Sequence, residues 1–383
     1  MNQKPASPGA VPHVAQIDAL RGLAALLVSL IFHVHYVLGE FRTGPLDGLP
    51  VFTWLHDNGW TLVDLFFLIS GFVFSHVYLS EAGLREGVTF RKFMLARLAR
   101  LYPLHLATLL ACAAILWFGR PATWDTVRSD LYHFGLNLLF LQESGLNAGY
   151  SFNYPSWSIS VEMICYVAFI AAALRGPQLF HRAAILLMFI GAMMTMGGDS
   201  IAAHIGRGLF GFFAGYFVWQ HRERLSRVPA PVLAAVGVAA LLVPSVGALS
   251  LGTFLCMTLW PALLLLALRT QFLCTRPFRW LGDRSYSIYM LHAPVYAAIN
   301  VFVFNGQPVD RALWPLVSGG AALAILGLAH VSFLYLERPA RNWINARFGA
   351  GSTAPGVAMK VSAPVLSPRG KLSSCPCRPY PPT

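Results

Sequence analysis

A long apolar stretch near the N-terminus carries four ionisable side chains. Residues 15–39 read AQIDALRGLAALLVSLIFHVHYVLG and include Asp18, Arg21, His33 and His35. A charged side chain inside a bilayer costs several kcal/mol, so such residues usually face a protein interior or a water-filled cavity. On an ideal helix Asp18 and Arg21 lie one turn apart and can pair, and His33 stands about 18 Å beyond Arg21 at about 1.5 Å per residue. One helix therefore presents a cation near one membrane face and an imidazole near the other.

Two acidic residues fall at the same predicted depth as His33. Asp64 lies four residues into the second apolar span and Glu162 lies five residues into the fourth, both counted from the external face. At the helical rise all three side chains lie roughly 6–8 Å below that face. A carboxylate beside a histidine orients the imidazole and makes it a better base. The depths predict a histidine–carboxylate cluster for proton transfer. The alternative is that each carboxylate pairs with another helix for packing.

Two apolar spans carry a polar stripe at helical spacing. In WSISVEMICY, Ser158, Glu162 and a tyrosine recur every four residues on one face. Such a stripe can join helices by hydrogen bonds rather than form a functional site. Burying a glutamate in a membrane costs more free energy than burying a neutral polar residue, so Glu162 favours a functional site. In WLGDRSYSIYMLHAPV, Ser285, Tyr289 and His292 form a polar face from the inner surface toward mid-membrane. His292 is either a site residue or a hydrogen-bonded core histidine.

A pair of arginines precedes the third apolar span. Arg97 and Arg100 in FRKFMLARLARLYPLH lie one helical turn apart. Two guanidinium groups at this spacing can converge on a phosphate, for which their forked geometry is well suited. The alternative is cytoplasmic anchoring of the span, which the spacing alone favours. With Arg21, these side chains predict an anion-binding region at the cytoplasmic end.

No metal site or familiar nucleophile is indicated. His33 and His35 are two residues apart and point to opposite sides of a helix, so they do not form a metal pair. No serine or cysteine lies in a recognisable nucleophile motif, and no glycine-rich phosphate loop is present. Four of the six cysteines fall in or beside apolar segments without metal-ligand spacing. We therefore expect no metal cofactor.

The composition predicts the elements that hold these residues. Of 383 residues, 56% are hydrophobic and 11% are charged, against about 25% charged in ordinary soluble domains. We predict an all-α polytopic membrane protein of about ten transmembrane helices. The predicted spans are 15–38, 60–80, 101–119, 157–175, 182–197, 204–220, 230–247, 251–269, 284–304 and 313–336.

The basic residues predict the orientation. Assigning each Lys and Arg to the nearer face places 23 of the 28 on the side of the termini and five on the opposite side. Both termini are therefore expected in the cytoplasm. Residues 120–156 contain an apolar stretch at 131–141 that is too short to span, so they are expected to form an external loop or re-entrant segment. Residues 1–14 form a cytoplasmic N-terminus, and 346–383, rich in Pro, Ser and Gly, form a disordered cytoplasmic tail.

The motifs resemble those of the acyltransferase-3 family of integral-membrane O-acyltransferases. The matching stretches occur in the family's order and cover residues 15–345. They are IDALRGLAALLVSLIFH, DLFFLISGFVFS, FMLARLARLYPLH, YPSWSISVEMICY, WLGDRSYSIYMLHAPV and YLERPAR. The resemblance implies an integral-membrane acyltransferase domain that moves an acyl group, often acetyl, from acyl-CoA to a hydroxyl of a carbohydrate.

The resemblance also implies roles for individual residues. Arg21 and His33 match the arginine and histidine of the family's first helix, Arg97 and Arg100 match its paired arginines, and Glu162 matches its acidic position. We expect the arginines to hold acyl-CoA at its phosphates. We expect His33 to deprotonate the acceptor hydroxyl or to accept the acyl group, with Glu162 or Asp64 orienting its ring. Ser285 and Tyr289 are expected to line the acyl-CoA path.

One spacing departs from the family pattern. The family usually has ten residues between the arginine and the histidine, and here eleven separate Arg21 from His33. On a uniform helix ten intervening residues place the two about 20° apart, eleven about 120° apart, and His35 would lie about 40° from Arg21. Either His35 has taken the catalytic role, or a π-bulge absorbs the extra residue. We favour His33.

The hypothesis also specifies an acceptor and a location, and it has one alternative function. We expect a carbohydrate or glycolipid acceptor of the cell envelope, such as a lipid-linked saccharide, and a location in the inner (plasma) membrane with contacts to lipid and none to nucleic acid. The rival is a secondary transporter, in which the buried Asp, Glu and His residues relay protons. The sequence shows no inverted repeat and no paired broken helices of the transporter kind.

Overall fold

The computed structural model describes residues 14–39, 48–80, 83–121, 123–124, 126–198, 200–243 and 250–348, and two short strands beyond them. Most of the predicted N-terminal segment, the end of the seventh predicted span and most of the predicted tail lie outside the described residues. The predicted tail boundary at 346 falls inside a helix that runs to Phe348.

Helices account for most of the described chain, and short 3₁₀ turns join several of them. The α-helices are α1 Ala15–Leu30, α2 His35–Leu38, α3 Pro50–Asn58, α4 Leu62–Tyr78, α5 Phe90–Phe118, α6 Leu131–Leu138, α7 Trp157–Ala173, α8 Pro177–Thr195, α9 Ile201–Gln220, α10 Arg222–Leu225, α11 Ala230–Leu241, α12 Leu251–Met257, α13 Leu259–Arg269, α14 Arg276–Asp283, α15 Ser285–Phe304, α16 Trp314–Ser332 and α17 Arg338–Phe348.

Four short strands and a π-helical turn complete the described elements. Strands β1 Leu79–Ser80 and β2 Gly83–Leu84 pair antiparallel, and so do β3 Pro364–Leu366 and β4 Leu372–Ser374. The π-helical turn Phe333–Glu337 connects α16 to α17 without a break in the helical path.

Nine helical stretches in the described part of the chain are long and apolar enough to cross a membrane, which confirms the predicted all-α polytopic membrane fold. They are Ala15–Leu38, Pro50–Tyr78, Phe90–Phe118, Tyr154–Ala173, Pro177–Thr195, Ile201–Gln220, Leu251–Arg269, Ser285–Phe304 and Arg311–Phe348. The remaining predicted span, 230–247, coincides with the shorter apolar helix α11. No helix of spanning length lies among the described residues between α5 and α7, as predicted for the loop 120–156.

The second and third spans begin earlier than predicted. A helix starts at Pro50, where proline stands in the first turn, and α5 starts at Phe90, where the side chain of Thr89 accepts a hydrogen bond from the Lys92 backbone N–H at 3.3 Å. Both starts carry a preferred helix-initiating residue. The prediction counted only apolar residues, whereas hydrogen bonding carries a helix beyond them into a basic segment.

Two apolar clusters fill the spaces between the helices. The first lies among α4, α7, α8 and α9 and includes Leu68, Phe169 and Phe212. The second lies among α2, α5, α15 and α16 and includes Val37 and Leu109. The polar residues considered below lie mainly on α1, α4, α5, α7, α9 and α15 and in the 3₁₀ turn after α1.

Helices α4 and α9 cross in backbone contact at two glycines. A Cβ atom on Gly71 would lie 1.7 Å from the carbonyl oxygen of Phe212, and one on Gly215 would lie 2.0 Å from the carbonyl oxygen of Leu68. Apolar side chains gain little by leaving lipid for another helix, so close approach through small residues is a main source of helix association in membranes. These two glycines set the separation of α4 and α9.

The crossing predicts that Gly71→Ala is destabilising. The added methyl group meets backbone atoms, which cannot rotate away, so we expect a cost at or above the usual 1–3 kcal/mol for overpacking, about 3 kcal/mol. The midpoint of thermal unfolding in detergent, followed by tryptophan fluorescence, measures the loss.

Gly327→Ala is the matched control for this substitution. Gly327 lies in α16, and a Cβ atom there meets nothing within 4 Å. Alanine has the better helix propensity, so we expect an unchanged or slightly raised midpoint. Equal midpoints for the two variants would contradict the assigned contact.

Candidate active site

His33 contacts a second histidine, His292, in the interior of the molecule. The Nδ1 atom of His33 lies 2.9 Å from the Nε2 atom of His292, and the two rings stack with centroids 5.0 Å apart. His33 is 5% exposed and His292 is 0% exposed. At this distance one nitrogen donates a proton and the other accepts it. Two coupled imidazoles of this kind can pass a proton to or from a reacting group.

The helix that carries His33 is broken just before it. Helix α1 ends at Leu30, Ile31 leaves the helical path with φ −112° and ψ −61°, and a 3₁₀ turn covers Phe32–Val34. The extra residue between Arg21 and His33 is therefore accommodated by a break and a 3₁₀ turn. The predicted π-bulge is wrong at this position. The angular separation counted around a uniform helix no longer applies, because the helix is not continuous.

The break leaves backbone carbonyl groups that other side chains satisfy. The Tyr296 hydroxyl donates to the Ser29 carbonyl at 2.7 Å, and His35 Nδ1–H donates to the Phe32 carbonyl at 2.8 Å. Unsatisfied carbonyls cost several kcal/mol in an apolar environment. The contact of His35 with backbone indicates a role in holding the broken segment, whereas His33 faces His292.

Three arginines lie together near the opposite end of α1. Arg100 lies within electrostatic range of both Arg21 and Arg97. Arg97 Nη2 donates to the Tyr78 hydroxyl at 3.0 Å, and the Arg97 guanidinium lies over the ring of Phe74. Within the described ranges these three arginines have no ion pair with a carboxylate. We call this cluster the arginine end.

Buried nitrogens at the arginine end lack a hydrogen-bond partner. The Nε atoms of Arg21 and Arg97 are buried and have no acceptor among the described residues. A buried cationic donor left unsatisfied is costly, and such atoms call for an explanation. Three neighbouring cations, two of which have an unused buried donor, suit a ligand that carries several negative charges, such as a set of phosphates.

A small cavity of about 40 Å³ lies among the helices and is lined by Arg21 and Arg100. Glu162 lies on its wall and accepts a hydrogen bond from the Ser70 hydroxyl at 2.7 Å. The wall also carries the polar faces predicted on α7 and α15. The lining residues are Arg21, Val63, Phe66, Phe67, Arg100, Leu101, Ser158, Ile159, Glu162, Tyr166, Ser285, Tyr286 and Tyr289.

Helix α15 joins this cavity to the histidine pair. The hydroxyls of Ser158 and Tyr289 lie 2.9 Å apart, and the rings of Tyr289 and His292 lie 5.7 Å apart. Ser285, Tyr289 and His292 therefore follow one another along one face, from the arginine end to His33. We call the pair His33 and His292 the histidine end.

Asp64 is bound to an arginine. Arg207 Nε donates to Asp64 Oδ1 at 2.8 Å, and Arg207 Nη2 donates to the Trp60 carbonyl at 2.9 Å. The Arg207 guanidinium lies 4.5 Å from the ring centroid of Trp60 and 5.0 Å from that of Trp157. Asp64 and Arg207 are 1% and 9% exposed. This geometry indicates that Asp64 anchors α4 to α9.

The predicted histidine–carboxylate contacts are replaced by other partners. His33 is joined to His292, Asp64 to Arg207, and Glu162 to Ser70. These side chains lie at similar predicted depths but do not contact one another. Depth in the membrane does not determine which side of its helix a residue faces. Each carboxylate meets the polar group that the neighbouring helix offers at its own face.

Sequence reasoning missed a second histidine group on the predicted external side. His204 Nδ1 lies 2.6 Å from Glu143 Oε1, and His204 Nε2 lies 3.0 Å from the Tyr150 hydroxyl. Glu143 lies in the predicted external loop 120–156, where no helical period relates it to His204. The signal was weak: one acidic residue just after the apolar stretch 131–141, and His204 and Arg207 one turn apart at the start of α9.

Comparison with known proteins identifies a family and several curated relatives. The family model described as an acyltransferase domain matches residues 14–335. Peptidoglycan O-acetyltransferase OatA of Listeria monocytogenes is 24% identical over 380 residues, which cover 86% of this chain and 56% of that protein. The putative membrane-bound transacylase BcsY of Komagataeibacter xylinus is 27% identical over 377 residues, which cover 91% of this chain and 88% of that protein.

A third relative shows the same partial coverage as OatA. The putative peptidoglycan O-acetyltransferase YrhL of Bacillus subtilis is 25% identical over 378 residues, which cover 86% of this chain and 55% of that protein. The chain thus spans about half the length of these two peptidoglycan relatives. No solved structure matches the chain.

The buried ion pair predicts a large effect of Asp64→Asn on stability. The substitution leaves the Arg207 guanidinium buried without its counter-ion, and breaking a buried pair in this way costs about 3–5 kcal/mol. Thermal unfolding in detergent measures the loss.

Asp57→Asn makes the same chemical change at an exposed position of α3. Exposed substitutions usually change stability by less than about 0.5 kcal/mol, so we expect the midpoint of this control to stay unchanged. A similar loss in both variants would show that the Asp64–Arg207 pair does not stabilise the fold.

Proposed function

Because the chain belongs to the acyltransferase domain family, we propose that it is a membrane O-acyltransferase that moves an acetyl group from acetyl-CoA to a hydroxyl of a cell-envelope carbohydrate or lipid-linked saccharide. One observation carries the proposal. A cluster of arginines that pair with no carboxylate among the described residues and a buried histidine pair lie at opposite ends of one line of polar side chains.

The arginine end is the proposed site for the phosphates of acyl-CoA. Arg21, Arg97 and Arg100 offer guanidinium groups whose donors are only partly used within the protein. Guanidinium–phosphate hydrogen bonds are charge-assisted and can be bidentate. The uncharged thioester arm is proposed to enter past Ser285 and Tyr289, where the cavity of about 40 Å³ must widen to admit it. In this proposal the arginines bind the charged phosphates of acyl-CoA, and the cavity takes only its uncharged thioester arm.

His33 is the proposed catalytic residue at the other end. Its Nδ1 contacts His292, so His292 fixes the orientation of the ring and can exchange a proton with it. His33 either takes the proton of the acceptor hydroxyl or accepts the acyl group itself. In either route the bond between the acyl carbon and the thioester sulfur breaks, and the sulfur leaves as a thiol after taking up one proton.

The two predicted carboxylates receive different proposed roles. Glu162 lines the cavity between the two ends, and the Ser70 hydroxyl holds its carboxylate in place. We propose that the carboxylate held in this way positions the thioester arm. Asp64 acts indirectly, because it is paired with Arg207 and holds α4 against α9. His35 is proposed to support the broken segment that presents His33.

The acceptor proposal follows the names of the relatives. OatA and YrhL are named as peptidoglycan O-acetyltransferases, the latter putatively, so a carbohydrate of the envelope is the proposed acceptor class here. We propose the inner membrane as the location, with both termini cytoplasmic and the arginine end on that side. Residues 15–345 are the proposed catalytic domain, and α17 continues it to Phe348. Residues 346–383 contain the proposed tail.

Substitution of the two histidines tests the catalytic assignment. His33→Ala removes the reacting imidazole, so we expect consumption of labelled acetyl-CoA by purified protein in nanodiscs to fall by about 10²–10⁴-fold. His35→Ala removes a backbone contact, and we expect turnover per folded molecule to stay within about threefold. The reverse pattern would transfer the catalytic role to His35, and full activity in both variants would exclude the site.

Substitution at the arginine end tests the donor assignment. A hydrogen bond to a charged group contributes about 1.5–3 kcal/mol, so Arg100→Gln should weaken CoA binding by about 10–150-fold. Arg91→Gln on the same helix, at an exposed position, is the control and should bind CoA normally.

Pantetheine, which lacks the phosphates, separates charge recognition from a general defect. Its binding should be the same in wild type and Arg100→Gln, because it makes no phosphate contact. If Arg100→Gln weakens pantetheine and CoA equally, the arginine does not act on the phosphates. Binding of both ligands is measured by calorimetry in detergent.

A further inference from the structure

A second acid–base group lies beside the histidine end and has no role in the proposal above. Its members are Tyr150, His204 and Glu143, joined in series by the hydroxyl–imidazole distance of 3.0 Å and the imidazole–carboxylate distance of 2.6 Å. The second carboxylate oxygen, Glu143 Oε2, accepts from the Asn147 amide at 3.2 Å. In the arrangement that satisfies both contacts, His204 Nδ1–H donates to Glu143 Oε1 and His204 Nε2 accepts from the Tyr150 hydroxyl.

This series has the order of a catalytic triad. A hydroxyl lies within hydrogen-bond reach of an imidazole nitrogen, and a carboxylate orients that imidazole and stabilises its protonated form. The order is a property of the three contacts and does not depend on sequence position. It gives Tyr150 a path by which its phenolic proton can leave and return.

The surroundings hold the imidazole and the carboxylate rigid. His204 stacks on Trp157 with centroids 4.4 Å apart. The Glu143 backbone N–H donates to the Ser160 hydroxyl at 3.1 Å, and Glu143 is 1% exposed. A carboxylate this deeply buried is costly unless fully hydrogen-bonded. Tyr150 is only half-buried, so its phenol can meet a ligand while its two supports remain fixed.

Aromatic contacts connect Tyr150 to His33. The rings of Tyr150 and Tyr154 lie 4.0 Å apart, and the rings of Tyr154 and His33 lie 6.4 Å apart. Tyr36 stacks on His33 at 4.8 Å and contacts Tyr154 at 5.5 Å. The phenol of Tyr150 and the imidazole of His33 thus border the same group of rings. Tyrosine rings also suit the amphipathic face of a sugar, since each offers an apolar face and a polar edge.

We propose that Tyr150, supported by His204 and Glu143, binds the acceptor hydroxyl next to His33 and removes its proton during transfer. The proposal rests on the acyltransferase function proposed above. Tyr150 is the catalytic residue of this group. His204 and Glu143 are positioning residues that act through it. Because Tyr150 takes the acceptor proton, this inference selects the second of the two routes proposed above, in which His33, in contact with His292, accepts the acyl group itself.

The proposed step balances in atoms and protons. The acceptor oxygen bonds to the acyl carbon while its proton passes to the Tyr150 oxygen and the phenolic proton passes to His204 Nε2. The bond from the acyl carbon to its carrier atom, a ring nitrogen of acylated His33, breaks. The leaving atom finally receives the proton held by His204, which restores the neutral imidazole. Glu143 stabilises the imidazolium in between.

The test separates transfer from donor binding. Intact cells that produce the full chain are compared with cells lacking it for base-releasable acetate in the envelope saccharides, and each purified protein is assayed for CoA binding. For Tyr150→Phe we expect envelope acetate above background to fall by at least about 100-fold. CoA binding and the unfolding midpoint should match wild type, because the donor site and the fold are untouched.

Tyr132→Phe is the matched control. The Tyr132 hydroxyl donates to the Leu146 carbonyl at 3.0 Å, so it ties the same loop together without reaching an imidazole. We expect normal envelope acetate in this variant. If Tyr150 only held the loop, the two phenylalanine variants would lose acetate alike, and the proposal would be overturned.

Chemical rescue tests the positioning residue. His204→Ala should lose transfer, and imidazole in the medium should restore part of it, which a purely structural defect would not allow. Absence of rescue in a folded, CoA-binding variant counts against the proton relay. Unchanged acetate in Tyr150→Phe refutes this inference and leaves the acyltransferase proposal standing. Absence of both CoA binding and envelope acetate in wild type refutes the acyltransferase proposal, and this inference with it.

Discussion

The interior of a bilayer supplies no water, so each polar group buried there needs a partner within the protein. The segment around His33 depends on this constraint. An unbroken α-helix would satisfy its own backbone, yet the chain leaves the helical path at Ile31. Tyr296 and His35 supply the hydrogen bonds to the Ser29 and Phe32 carbonyls at the break. The position of His33 is therefore maintained by side chains that need not touch a substrate.

The same constraint explains why a salt bridge and a glycine crossing occur on the same pair of helices. Gly71 and Gly215 bring α4 and α9 into backbone contact, and Asp64 and Arg207 lie on those helices and pair with each other. Two buried charges stabilise a fold only if their geometry is tightly held. Close backbone contact provides that geometry, and Gly252 leaves room for the carboxylate, because a Cβ atom there would lie 2.2 Å from Asp64 Oδ2.

The apolar runs were sufficient to predict the spans, because length and hydropathy are properties of single segments. They did not predict helix boundaries correctly where the helix continues from an apolar run into polar sequence, as at the start of α5 at Phe90. They also failed at Ile31, where contacts from α15 make a break tolerable. Both failures have one cause. A segment's own pattern carries no information about the partners that another segment brings to it.

The same holds for the candidate site: spacing in the sequence predicts which residues share a face of one helix, but not which residues of another helix they contact. The sequence shows that Arg97 and Arg100 lie one helical turn apart, but this spacing alone favours membrane anchoring, and only the structure shows that no carboxylate among the described residues pairs with them. The partner of His33 was not predictable, because Glu162 and Asp64 were chosen by depth alone, and only the rotation of the helices brings His292 to His33 instead. Glu143 was not predicted as a site residue for a different reason. It lies in an irregular loop, where no helical or strand periodicity relates a residue to its neighbours in space.

The separation of arginines from histidines has a physical consequence for a transfer across a membrane. A nucleotide carries several negative charges, and moving them through the bundle would cost far more than any single contact returns. An uncharged thioester arm can enter a cavity lined by serine and tyrosine hydroxyls at modest cost. If cations hold the charged part at one end, only the neutral acyl group needs to cross the remaining distance. Such a division would keep the donor on one side of the membrane while its acyl group reaches an acceptor on the other.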